Sequence, residues 1–210
     1  ITGGSRGIGR TIALDFANQG ADIAFNYFRQ TGAANQTLND ILDLGVECIS
    51  VKAHLGDQSN ITNFIKKVGA KFGKIDYLIN NAASGVNKPA TELTSKHWDW
   101  TMDINAKAPW LCTQESIGYM QPGSCIVNLT SLGSKIVLKN YFAVGVSKAS
   151  LEAVTRYLAV ELAPLGISVN AVAGGYVKTE ALNHFPNSEE MLKSGSENPV
   201  GKMVSEQDIA

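Results

Sequence analysis

Apolar positions along the chain follow two rhythms. Short runs of aliphatic and aromatic residues occupy 21–27 (ADIAFNY), 47–52 (ECISVK), 75–80 (IDYLIN), 125–130 (CIVNLT) and 168–173 (SVNAVA), and each reads as a strand. Between them the apolar residues recur every three or four positions. Residues 9–19 place Ile12 and Phe16 on one face and stop at Gly20; 31–44 stop at Gly45, and 59–72 at Gly73. Residues 94–119 read as one long apolar-rich helix, with a kink expected at Pro109. Residues 141–165 set Leu151, Val154, Leu158 and Leu162 on one stripe.

Strand and helix alternating at this spacing predict right-handed βαβ units, hence an α/β fold with a parallel sheet covered by helices on both faces. The strands are apolar enough to be buried on both sides. No repeat or linker divides the chain, so residues 1–210 are expected to form a single domain. The least regular stretch, 179–203, contains Pro186 and Pro199 among Gly, Ser and Asn, and is expected to be a mobile substrate-binding loop. Its apolar residues Leu182, Phe185 and Met191 are candidates to line a channel, or else ordinary core.

Composition narrows the function classes. With 44% hydrophobic residues in 210 and a net charge of -1, the chain can bury a sizeable core and offers nothing to favour nucleic acid or an anionic membrane. No apolar run is long enough to span a bilayer. Cys48, Cys112 and Cys125 lack metal-ligand or CxxC spacing and read as reduced, mostly buried cysteines of a cytoplasmic protein; no metal site is expected.

The chemistry begins at residues 2–9, TGGSRGIG. Glycines at 3, 4, 7 and 9 let the backbone approach a pyrophosphate, and the helix that follows presents free N–H groups to it. The strand at 21–27 ends without the Asp or Glu that would hold a ribose 2′-hydroxyl, and runs into Phe28-Arg29. Arg6 and Arg29 are instead suited to a 2′-phosphate, so NADPH is expected over NADH; the other reading leaves both arginines as solvated surface residues.

These motifs resemble the short-chain dehydrogenase/reductase family, in order and over nearly the whole chain. TGGSRGIG is similar to the family's TGxxxGxG loop, Asn80-Asn81-Ala82-Ala83 to its NNAG motif, and Asn105 in DINAKA to its helix asparagine. Ser131 follows the strand at 125–130, Lys148 lies in the next helix, and Ala173-Gly174-Gly175 stands where the family has a Pro-Gly turn, followed by Val177 and Thr179. The resemblance implies a Rossmann-like doubly wound sheet. It implies cofactor contacts from Gly3, Ser5, Arg6, Gly7, Ile8, Gly9, Arg29, Leu55, Asn80, Asn81, Ala82, Lys148, Gly175, Val177 and Thr179. His54 replaces the family's adenine-contacting Asp and reads as a surface histidine, with Leu55 offering backbone contacts. The family's first strand is almost gone and its last absent, so this sequence is expected to be a fragment of a longer chain or only its ordered part.

One position breaks the pattern. Most members carry YxxxK, and in NYFAVGVSKAS the residue four before Lys148 is Val144. Either catalysis is lost or Tyr141, seven before, is the acid. Seven residues is about 700° of helix, so Tyr141 and Lys148 are expected to share a face roughly 10 Å apart along the axis. The lysine charge is expected to lower the phenol pKa. The wide spacing resembles the enoyl-acyl-carrier-protein reductases of the NADPH-dependent type within the family. That implies reduction of trans-2-enoyl thioesters on acyl-carrier protein in fatty acid synthesis, with Tyr141, Lys148, Ser131 and Asn105 as catalytic residues. Ser131 either helps hold the thioester oxygen or caps its own turn; Asn105 either orders a water or bends its helix. Two rivals stand beside this reading: 3-oxoacyl reduction, which normally wants YxxxK, and a catalytically silent NADP-binding protein. The resemblance also implies a homotetramer built on the helices at 94–119 and 141–165. Lys135, Lys139 and Lys193 are candidates for a carrier-protein patch, or else solvated charges.

Overall fold

Gly20, Gly45 and Gly73 have φ of 86°, 85° and 73°, a left-handed backbone that ends a helix. Helices α1 (Gly7–Asn18), α2 (Thr31–Leu42) and α3 (Gln58–Phe72) terminate just before them. Asp57 caps the start of α3 by accepting from the Ser59 N–H at 2.8 Å. The strands are β1 (Ile23–Tyr27), β2 (Cys48–Lys52), β3 (Tyr77–Asn80), β4 (Cys125–Leu129) and β5 (Ser168–Val172). Three further helices complete the fold: α4 (Ser95–Met102), α5 (Ala108–Ser116) and α6 (Phe142–Leu162). The structure is a computed structural model that describes residues 1–177, 192, 195, 197 and 201–210. The expected loop at 179–203, including Thr179, Leu182, Phe185, Met191 and Lys193, lies almost wholly outside the described residues.

All strand pairings are parallel, as the βαβ reading requires. The expected single sheet is divided into two ladders, β1–β2 and β3–β4–β5. Ile1 and Thr2 lie between them and bond to both. Ile1 donates its terminal nitrogen to Ala24 O at 2.8 Å and accepts from Asn26 N at 3.3 Å, while Thr2 N donates to Ile79 O at 2.8 Å. Beside Ile1, between β1 and β3, a cavity of about 300 Å³ is lined by Ile23, Phe64, Val68, Ile75 and Ile79. It reaches the N-terminal starts of these strands, away from the strand ends that carry the site described below.

Strand alternation sends successive side chains to opposite faces. Leu78, Ile126 and Val169 pack with Ile61, Phe64, Ile65 of α3, Leu111 and Cys112 of α5, and Leu158 and Leu162 of α6. On the other face Ile79 and Leu129 meet Ile12 of α1, while Phe25 packs on Ala13, Ala34 and Ile41. Helices therefore cover both faces. Strand β5 departs from the expectation of strands buried on both sides: Val169 is buried, but Asn170, Ala171 and Val172 are exposed.

The long helix expected over 94–119 runs unbroken to Ser116, with its bend one turn before the proline. Thr94 opens α4 through a capping box with His97, and the backbone passes through a π-helical turn at Asp103–Lys107 directly into α5. Pro109 has no N–H for the carbonyl of Asn105, four residues before it, and its ring crowds that carbonyl, so the ladder is disturbed over this turn.

Candidate active site

The glycine loop is braced from three sides. Asn26, a polar residue inside apolar β1, accepts from Gly3 N at 2.9 Å and donates to Ala53 O at 2.9 Å. Asn81 donates its amide to Thr2 O and Gly3 O at 2.9 and 3.1 Å. The Thr2 hydroxyl accepts from the N–H of Asn81 and of Ala82, both at 3.0 Å. Glycine is required by contact: a Cβ on Gly9 would run into Gly3 O and the Asn81 amide, and one on Gly4 would lie 2.5 Å from Phe25 Cβ. Gly3 and Gly7 also have φ of 67° and 57°. Arg6, exposed, is the N-cap of α1 and places no side-chain cap on its first turn. The N–H groups of Gly7, Ile8 and Gly9 thus open onto the loop without a side-chain cap, and Ser5 is buried beneath it with its carbonyl accepting from Thr37. This cradle fits a dinucleotide pyrophosphate.

Other expected cofactor residues divide. At the ends of β1 and β2, Arg29 stacks over Phe28 at 5.5 Å, and Phe28 packs on His54 with ring centroids 4.5 Å apart. His54 is half-buried and packs on Phe28, which is itself exposed, so the pair sits at the surface. Leu55 is core, 7% exposed, which leaves only its backbone for a ligand. The same holds for Asn80: 2% exposed, it turns its side chain into the sheet and donates to Asn128 Oδ1 at 2.9 Å. Gly175 has φ 70°, and buried Val177 bridges to Val204.

At the other half of the site, Tyr141 is the N-cap of α6. This corrects the picture of two regular helical turns between Tyr141 and Lys148, because the phenol is carried on the cap rather than on the helix. Its hydroxyl donates to Ser131 Oγ at 3.2 Å, and its ring lies so close to Gly133 that a Cβ there would be 2.6 Å from it. Of the two roles considered for it, Ser131 takes the cap: the same Oγ accepts from Gly133 N at 3.2 Å at the start of the short 3-10 turn Leu132–Ser134. Burial pushes the Tyr141 phenol above its ordinary pKa, with the Ser131 hydrogen bond opposing. The net direction is up, contrary to the lowering expected from Lys148, and it keeps the phenol protonated at neutral pH.

Lys148 is 5% exposed and donates to Leu129 O at 2.7 Å. Burial lowers its pKa from 10.5 to about 8. The remaining ammonium protons have no protein partner among the described residues, the signature of a cation placed for a ligand. One turn before it, Val144 is 8% exposed and packs its methyl against Gly85 and Thr101, so an aliphatic wall stands where the usual tyrosine would be. Asn105, fully buried at the π-helical turn, accepts from Ser84 N at 2.8 Å and donates to Ser84 O at 2.8 Å and Ser147 Oγ at 3.0 Å. It ties the Asn81–Ser84 segment to the residue beside Lys148, and it stands at the bend of its helix.

Sequence reasoning missed Thr2, Asn26, Ser84, Asn128, Ser147 and Thr155. Asn26, Asn80 and Asn128 carried a signal, a polar amide inside an apolar strand. The last two form a buried chain in which Asn128 donates to Thr155 Oγ1 at 2.9 Å, fastening α6 to the sheet. Among the described residues no cluster of His, Cys, Asp or Glu has the form of a metal site, and no helix is long and apolar enough to cross a membrane.

Comparison with known proteins places this geometry. The sequence model of a family described as enoyl-(acyl carrier protein) reductase matches residues 3–210. The chain is 36% identical to 1-cyclohexenylcarbonyl-CoA reductase of Streptomyces collinus, over 91% of this chain and 68% of that one. It is 33% identical to the 3-oxoacyl-[acyl-carrier-protein] reductase FabG of Staphylococcus epidermidis, over 100% of this chain and 86% of that one. A short-chain dehydrogenase of Burkholderia cenocepacia, solved in complex with NADP, superposes with a TM-score of 0.92 at 29% identity, covering 100% of this chain and 85% of that one.

Proposed function

The chain belongs to the short-chain dehydrogenase/reductase family, and from that premise we propose that it uses NADPH to reduce the conjugated double bond of an enoyl thioester carried on acyl-carrier protein. The observation that carries this reading is the hydroxyl pair Tyr141–Ser131 seven residues before buried Lys148, with Val144 filling the place of the usual acid. The matched family is described by enoyl reduction, and the relative from Streptomyces collinus is named for a thioester whose double bond is conjugated to its carbonyl.

The residues present fit the cofactor. Gly3 to Gly9 would cradle the pyrophosphate, Arg6 and Arg29 the 2′-phosphate, and Asn81 and Lys148 the nicotinamide ribose. Bound there, NADPH supplies the hydride for the β carbon. The chain's own part is electrostatic: Tyr141, kept protonated by burial, donates to the thioester oxygen where negative charge develops. With substrate bound the single phenol proton would turn from Ser131 to the thioester oxygen, and the Ser131 hydroxyl would donate to the phenol oxygen in its place; the Lys148 ammonium would hold ribose hydroxyls while its charge favours the developing anion. Asn105 keeps the segments bearing Asn81 and Lys148 in register.

A second reading, reduction of 3-oxoacyl thioesters, is favoured by the FabG relative, which this chain matches along its whole length. The same phenol would then protonate an alkoxide. Parallel assays of NADPH oxidation with crotonyl and acetoacetyl thioesters decide between them. Crotonyl turnover supports the proposal, acetoacetyl turnover alone replaces it with ketoreduction, and NADPH binding with neither turnover points to a silent NADP-binding protein. The family resemblance also leads us to a homotetramer in which exposed Trp110, Tyr157 and Val160 of α5 and α6 are covered; light scattering that gives a monomer would overturn it.

A further inference from the structure

We infer that Glu152 is a positioning residue that holds Ser131 against Tyr141, an inference that rests on the assignment of that hydroxyl pair above. Glu152 lies on α6 one turn beyond Lys148 and is partly buried. A single carboxylate oxygen, Oε1, accepts from Thr130 Oγ1 at 3.0 Å and from Ser134 Oγ at 2.5 Å. These two donors flank Ser131 on either side in sequence. The arch 130–134 leaves the end of β4, where Thr130 N donates to Val172 O at 2.8 Å, and takes its shape from its short 3-10 turn: Ser134 N donates to Ser131 O at 3.0 Å, Gly133 N to Ser131 Oγ at 3.2 Å, and the Ser134 hydroxyl shares its proton between Glu152 and Ser131 O at 2.7 Å. Local bonds of this kind fix the turn's conformation but not its position over α6. Glu152 supplies the position, because one acceptor on the helix gathers both feet of the arch.

The arrangement has a consequence for the pair it supports. Tyr141 sits on the cap of α6 and Ser131 on the arch, so their 3.2 Å contact spans two separate pieces of chain. Arch and helix are linked by that contact, by the packing of Gly133 O on Gly145 and by Glu152. Of these, Glu152 is the one that bonds on both sides of Ser131, and without it Ser131 is free to shift and the phenol loses the partner that keeps its oxygen in place. Placement errors of about 1 Å cost up to roughly a hundredfold in rate.

The test is a double-mutant cycle with a structural readout. Glu152→Leu is expected to lower kcat roughly tenfold to a hundredfold on whichever thioester the wild type reduces, with KM for NADPH unchanged. Glu152→Gln, which keeps an acceptor oxygen for both hydroxyls, is expected to restore kcat to within about threefold of wild type. In a Ser131→Ala background the cost of Glu152→Leu is expected to vanish, since the residue acts through Ser131. Should Glu152→Leu fail to fold, Thr130→Val alone removes one of the two bonds from the arch side, leaves α6 and the Ser134 Oγ–Ser131 O bond intact, and is expected to lower kcat in the same direction by a smaller factor. Hydrogen exchange at Gly133, Ser134 and Lys135 is read in parallel on the protein without substrate. Faster exchange there, with the rest of the chain unchanged, supports the clamp. Additive costs of Glu152→Leu and Ser131→Ala, or unchanged exchange in the arch, overturn it. If the wild type reduces neither thioester the proposed function fails, and the exchange measurement still decides whether Glu152 positions the arch.

Discussion

Val144 stands at the position of the usual acid and has no proton to give, so the phenol of Tyr141 is the candidate donor near Lys148. Val144 is locked into a contact with Gly85, whereas the Tyr141 phenol meets a hydroxyl that orients it. Tyr141→Phe is therefore expected to lower kcat by about a hundredfold or more, the scale for loss of an oxyanion donor, while fluorescence titration shows unchanged NADPH affinity. Full activity in that variant removes Tyr141 from the mechanism. Gly9→Ala tests the other half of the site. Its methyl has no room between Gly3 O and the Asn81 amide, so the variant is expected to lose NADPH binding in the same titration while retaining its folded circular dichroism spectrum. Both positions were legible in the sequence because each has a fixed spacing to a recognisable neighbour. Glu152 was not, since one glutamate on a helix of mixed composition looks solvated until the arch that it holds is seen.

The helices at 31–42 and 58–72 were visible from their glycine stops, and the bend within 94–119 from Pro109, whose missing N–H and ring disturb the turn before it. The side chain that braces the disturbed turn carries no such signal. Asn105 reaches out of the π-helical turn to satisfy both backbone groups of Ser84 at 2.8 Å each. Its energetic value follows from that. Asn105→Ala leaves the Ser84 N–H and carbonyl and the Ser147 hydroxyl without this partner in a buried place, and is expected to cost roughly 3 kcal/mol in urea unfolding. Because the Asn81–Ser84 segment and α6 are then uncoupled, kcat should fall as well. A variant with wild-type stability would mean that the bend is held by the surrounding helices instead.

At the scale of the whole molecule, the alternation of strand and helix and the two covered faces could be read from periodicity. The division of the sheet into two ladders lies where the strand expected before the glycine loop is reduced to Ile1 and Thr2, which bond to both. The site also places a lysine inside the fold, with a consequence for global stability. Lys148 has its pKa lowered from 10.5 to about 8 by burial alone, which corresponds to roughly 3 kcal/mol of disfavoured charge in the folded protein. Between pH 8 and 10.5 the unfolded chain still binds this proton and the folded chain has released it, so the lysine's contribution to stability rises with pH through that window and is least favourable below it. Burial moves Cys48 and Cys112 the other way, to about 12. From about pH 9 upward the folded thiols hold protons that the unfolded ones lose, and stability contributed by the cysteines falls. The wild-type curve mixes these slopes, so the lysine is isolated by comparison with Lys148→Met in the absence of nucleotide. The loss of the bond to Leu129 O shifts that comparison by a constant and leaves its slope intact. Denaturant unfolding across the scan is expected to show Lys148→Met gaining on wild type below pH 8, with the gap closing by roughly 3 kcal/mol as pH approaches 10.5. A gap that stays constant with pH would mean that the ammonium is solvated in the folded protein and is not held in the dry site from which its role is argued.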